Sequence, residues 1–213
     1  MNTEELIATL AADTTPAPRT PLMARLALTC AAAAIVALIL LITWLGLRHD
    51  LMRAMHTNAF WVKAGYTAWL SLCGLLAVSR LARPGGRAGA AVWMAVAAVT
   101  FLVGVGALRV VQQPPAHRMA EWLGHSWNVC PVHILIISAP VFIGVVWFLR
   151  RLAPTRLRVA GAGAGLLAGA IGATVYGLAC TETTTAFVAT WYTLGITACT
   201  AIGALLGPRL LRW

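Results

Sequence analysis

The chain reads as all-α: a polytopic membrane protein built as a bundle of six transmembrane helices, with its N- and C-termini cytoplasmic. Three observations lead there. Of its 213 residues 60% are hydrophobic and only 10% are charged, whereas a soluble domain carries about 25% charge. The mean hydropathy is +0.82. The few charges gather between long uncharged runs, as in a chain that crosses a bilayer repeatedly. A formal net charge of +10 would suggest nucleic acid in a soluble protein. Here the basic residues sit at helix ends, where they anchor against lipid, so no direct nucleic-acid binding is expected. The five cysteines form no disulfide framework. The first apolar run is too long for a signal-peptide core, and acids rather than a basic cluster precede it.

Residues 1–21 form a polar tail and residues 22–213 the membrane domain. In the tail, Leu6, Ile7 and Leu10 make one apolar stripe of a short amphipathic helix. Glu4 and Glu5 stand near its start, where negative charge suits the helix dipole, and Thr3 is placed to cap it. Pro16, Pro18 and Pro21 then give a stiff lead into the membrane. So short a helix is marginal alone in water. Two readings follow: an unstructured tail, or a docking peptide that folds on a partner.

The first span is expected from Met23 to about Leu47. A polar connection through His49, Asp50, Arg53 and His56 leads to the second, about Asn58 to Leu81. Phe60, Trp61 and Tyr66 are expected at its interface, with Lys63 snorkelling back to the surface. Pro84-Gly85-Gly86 makes a tight reversal into the third span, about Ala88 to Val111. The connection Gln112 to His125 contains Pro114-Pro115, expected to break helix, and Trp122, expected at the interface. The fourth span runs from near Trp127 to Arg150-Arg151. Pro131 is acceptable in its first turn, and Pro140 should kink it. The fifth, about Val159 to Cys180, has small residues every fourth position from Gly161 to Gly177; the sixth, about Phe187 to Gly207, has a similar row from Gly195. Such ladders let helix backbones approach closely, so these two spans should form a tight hairpin.

Six spans divide the 16 basic residues unequally. Eleven, from Arg19 to Arg212, fall on the side of the termini, and five (Arg48, Arg53, Lys63, Arg109 and Arg118) on the other. The positive-inside rule then makes the termini cytoplasmic and turns Cys130 and Cys180 outward. These cysteines end long apolar runs fifty positions apart. Cys130 and His133 share a helix face at i, i+3, which suits one soft metal ion held by Cys130, Cys180 and His133. An oxidising compartment would instead favour a reversible Cys130–Cys180 disulfide. Small apolar packing is the third reading. Cys30, Cys73 and Cys199 are expected to pack only.

There is no phosphate-binding loop, metalloprotease motif or carboxylate pair, so the chain is not expected to be an enzyme. No acid lies at mid-membrane, where ion carriers usually keep one. A small transporter or metal-handling protein using the outer cysteines and histidines is the alternative.

Several stretches together resemble the NrsF-type negative regulators of an extracytoplasmic-function (ECF) sigma factor. They are the tail Glu4 to Asp13 followed by prolines, Ala59-Phe60-Trp61-Val62-Lys63, Arg80 to Gly85, Leu149 to Thr155, Trp191 to Gly195, and the ending Gly207 to Trp213. The likeness spans the whole chain in order. It implies a six-span inner-membrane anti-sigma factor whose cytoplasmic tail holds the ECF sigma factor, through Glu4, Glu5, Leu6, Ile7, Leu10 and Asp13. It also implies a cysteine pair that releases the sigma factor under heavy-metal or oxidative stress, matched here by Cys130 and Cys180. No cofactor is required; a heavy-metal ion would sit only transiently at the sensor cysteines.

Overall fold

A computed structural model describes residues 2–12, 21–83 and 85–212. Helix α1 (Thr3–Ala12) is the tail helix, and none of its residues is buried. Its first turn takes in Thr3, so Thr3 is not the cap; the Asn2 carbonyl accepts the Leu6 N–H at 3.0 Å. Asp13 and the rest of the proline-rich lead, residues 13–20, lie outside the described residues.

Six helices are long and apolar enough to cross a membrane. They are α2 (Leu22–Trp44), α4 (Asn58–Leu81), α5 (Gly89–Gln112), α7 (Cys130–Arg150), α8 (Leu157–Tyr176) and α9 (Thr185–Leu210), with short α3 (Leu51–Met55) and α6 (Pro115–Leu123) between spans. No strand occurs among the described residues. Thr57 caps α4, its hydroxyl accepting the Phe60 N–H at 3.4 Å. Helix α7 continues through Pro140 to Arg150. Expected and observed spans agree to within a few residues, except where α8 stops at Tyr176 and leaves Cys180 in a non-helical segment.

The segment expected to be broken by Pro114-Pro115 instead starts a helix. Pro115 stands at the N-terminal end of α6, where a missing N–H is no loss and a fixed φ favours the first turn.

Helix α8 is the axis of the bundle: 67% of its most apolar stretch is buried, against 44% or less in the other spans. It packs most extensively on α9, then on α4 and α7. The small-residue rows explain the first contact. A Cβ on Gly161 would strike the Gly203 carbonyl, and one on Gly165 the Cys199 carbonyl, so the two backbones touch directly. Helix α2 lies on the outside of α7, and α5 beside α4. With six alternating spans, the tail leads into the end of the bundle where α4, α7 and α9 finish. Cys130, opening α7, and Cys180, just after α8, stand at the opposite end, about 30 Å away for spans of this length.

Candidate functional site

The site is built where three connections meet at that far end. Within α9 the residues Val188–Tyr192 form a π-helical turn, a local widening that often marks functional positions. It carries Tyr192, which is fully buried, toward the ends of α7 and α8. Ring contacts run from Trp44 to His133 (5.2 Å), His133 to Tyr176 (5.6 Å), Tyr176 to Tyr192 (5.8 Å) and Tyr192 to Phe187 (6.4 Å). Residues of α2, α7, α8 and α9 thus make one aromatic chain.

Cys130 (0% exposed) and Cys180 (4% exposed) lie beside that chain, both as free thiols. Cys130 opens α7 and Cys180 follows the end of α8, so both thiols occupy the buried region around Tyr176 and Tyr192. The Tyr192 hydroxyl is buried without a hydrogen-bond partner among the described residues. The two cysteines named from the sequence therefore share one buried neighbourhood at this end. His133 is used differently. Its ring is wedged between Trp44 and Tyr176, and its Nδ1 has no hydrogen-bond partner. Among the described residues no trio of His, Cys, Asp or Glu side chains is placed to hold a metal ion.

The segment carrying Cys180 is fastened on both sides. Glu182 is buried, and one carboxylate oxygen accepts the N–H groups of His125 (2.7 Å) and Ser126 (3.1 Å) and the Ser126 hydroxyl (3.3 Å). Gly124, at φ +59°, makes room for this: a Cβ there would meet the Glu182 carboxylate and the Phe187 ring. The Thr184 hydroxyl donates to the Glu121 carbonyl at 3.0 Å, tying the segment to α6. Trp122, rather than simply resting at an interface, donates to Thr190 at 3.1 Å and lies against Trp191. On the other side, Arg48 donates to the Cys180 carbonyl at 3.2 Å and to both oxygens of Asp50 at 2.7 and 2.8 Å. That bond holds the Asp50 carboxyl below the usual carboxylate range and raises the Arg48 guanidinium.

Lys63 does not snorkel. It is buried, and its ammonium donates to the carbonyls of Cys180 (3.3 Å) and Glu182 (2.5 Å), with the Tyr192 ring centroid 5.4 Å away. Tyr66, expected at the interface, is buried too and shares a 2.6 Å hydrogen bond with Thr193. A signal for both was present: Lys63, Tyr66, Thr67, Leu70, Gly74, Ala77 and Leu81 recur at helical spacing and form the buried face of α4.

Residues 10–213 match the family described as NrsF, negative regulator of sigma F. The chain belongs to the NrsF family. It is 42% identical over 219 aligned residues to anti-sigma-F factor NrsF of Caulobacter vibrioides (strain NA1000 / CB15N). To the probable anti-sigma-F factor NrsF of Azospira oryzae (strain ATCC BAA-33 / DSM 13638 / PS) it is 39% identical over 216. Both alignments cover the whole of both chains. No solved structure matches the chain. As an NrsF protein it is a negative regulator of a sigma factor, which is a regulatory class and not an enzyme class.

At the tail end, the residues named for partner binding keep their apolar side chains in the open. Leu6 is 40% exposed, Ile7 61% and Leu10 64%, and Glu4 and Glu5 are exposed beside them.

Proposed function

We propose that this NrsF protein sits in the bacterial inner membrane with both termini cytoplasmic. There it holds an ECF sigma factor through residues 1–21 and lets it go when Cys130 and Cys180 react with a heavy-metal ion or an oxidant. The observation that carries the reading is that both buried free thiols stand in one neighbourhood at the end of the bundle opposite the tail, in a chain that matches named anti-sigma-F factors over its full length.

Leu6, Ile7 and Leu10 form an apolar stripe that suits a groove on the partner, and Glu4, Glu5 and Asp13 suit the basic surface a sigma factor turns toward DNA. The helix then has its third dimension completed by the partner rather than by the bundle. At the other end two chemistries reach the same result. A divalent thiophilic ion would displace one proton from each sulfur and bridge them. An oxidant would accept two electrons while an S–S bond forms and two protons leave. Two sulfurs suit a thiophilic ion such as cadmium, with the remaining coordination positions left to water, better than a structural zinc that needs four protein ligands; among the described residues no third His, Cys, Asp or Glu completes the set. Either bond would pull the Cys180 segment against the start of α7. The close α8–α9 pair offers a stiff path from there to the cytoplasmic end. A change of about 3 kcal/mol would weaken the sigma factor's binding roughly a hundredfold.

The test is transcription from sigma-F-dependent promoters in strains carrying the intact chain, a deletion of residues 2–12, or Cys130→Ser with Cys180→Ser, each with and without cadmium or diamide. The deletion should be constitutively active, and the double serine strain should stay repressed under both agents. A repressed deletion strain would remove the docking role, and ordinary induction without the two thiols would remove the sensor.

A further inference from the structure

Lys63 has the least expected placement on the chain. It is 4% exposed and, among the described residues, makes no ion pair. A cation at such depth persists only where fixed dipoles or rings replace its water. Here those are the carbonyls of Cys180 and Glu182 and the face of Tyr192. Both carbonyls belong to the segment that carries the reactive Cys180, while Lys63 itself belongs to α4. The Cys180 carbonyl takes a second cationic donor, Arg48, from the α2–α3 connection. The Glu182 side chain meanwhile anchors the same segment to the lead into α7.

We propose that Lys63 is a positioning residue acting as a latch: its ammonium pins the Cys180 segment to α4 in the resting protein, and sets how much inducer is needed to release the sigma factor. This rests on the reading of Cys130 and Cys180 as the release trigger. The segment cannot leave its place without stripping a buried ammonium of its acceptors. The resting state therefore resists displacement until an S–S or S–metal–S bond drags Cys180 away. Arg48 is the lesser part of the latch, because its guanidinium is already partnered by Asp50, whose side chain is half exposed.

The latch is tested with the full chain in cells, by titrating cadmium chloride and diamide against a sigma-F reporter at matched membrane levels of protein. Lys63→Met should raise uninduced output and lower the half-maximal dose about tenfold, as expected for losing charged hydrogen bonds. Lys63→Arg, which keeps a cation with donors, should return the dose close to wild type. An unshifted or higher dose for Lys63→Met would overturn the latch. So would a Lys63→Arg strain shifted as far as Lys63→Met, since that assigns the effect to packing. Should Lys63→Met be missing from the membrane, Arg48→Met decides: a smaller shift in the same direction supports the latch, and an unchanged dose overturns it. The Cys130→Ser, Cys180→Ser strain separates the two ideas. If it still responds, the trigger reading fails; if it is silent while Lys63→Met is unshifted, only the latch fails.

Discussion

Helix α1 leaves Leu6, Ile7 and Leu10 between 40% and 64% exposed, whereas Cys130 and Cys180 at the far end are 0% and 4% exposed. Among the described residues none of the tail helix is buried. The thiol end is packed by side chains from several elements: Arg48, Lys63, Glu182, Tyr176 and Tyr192. Under the proposed function, the contrast teaches how one chain would divide recognition from sensing. A binding segment left unpacked can be given up by the molecule without disturbing its core. A sensor that must convert one new covalent bond into movement needs a surrounding that resists, or the bond would be absorbed locally.

That contrast makes graded predictions. Deleting residues 2–12 should have the largest effect: loss of sigma-factor binding by more than a hundredfold in pull-down titrations, in line with removing a whole interface. The melting temperature of the detergent-solubilised bundle should stay the same. Glu182→Ala should do the reverse. It leaves the N–H groups of His125 and Ser126 without their acceptor, which costs about 1–3 kcal/mol, and should appear as a lowered melting temperature and faster alkylation of Cys180. Leu10→Ala should weaken sigma-factor binding about tenfold, as for an apolar anchor at an interface, again without a change in melting. The smallest effect belongs to Asp50. Its carboxyl is held below its ordinary value of 3.8, so the pair with Arg48 is intact above that value and is lost only as pH falls through the depressed one. Inducer dose curves should therefore not move on account of this pair between about pH 5 and pH 7.5, and Asp50→Asn should shift the dose by less than about twofold, as for exposed ion pairs.

Much of this architecture could be read from the chain alone. Apolar runs of spanning length mark all six helices, and the four-residue spacing of Gly161, Gly165 and Gly169 predicts the α8–α9 contact. What failed were judgements that depend on which way a side chain turns. Lys63 stands a turn inside α4, where a long stem reaches the surface only if its face of the helix is free; Tyr66, Thr67 and Leu70 put that face inside. Pro114-Pro115 reads as a helix breaker in sequence, although the missing N–H of Pro115 suits a first turn. The cysteines could be assigned to one end of the bundle, but their shared neighbourhood depends on how α7 and α8 cross and on Tyr176 and Tyr192 beside them. That is a property of packing between distant segments, which no local pattern carries.

The most direct test measures the affinity of purified sigma F for the full chain in lipid nanodiscs, before and after the two thiols are joined with diamide or loaded with cadmium, and repeats it with Cys130→Ser, Cys180→Ser. The account predicts that modification weakens binding roughly a hundredfold in the wild type and leaves the serine variant at its unmodified affinity. Equal affinity before and after modification in the wild type, with the thiols shown by mass to be fully consumed, would contradict it.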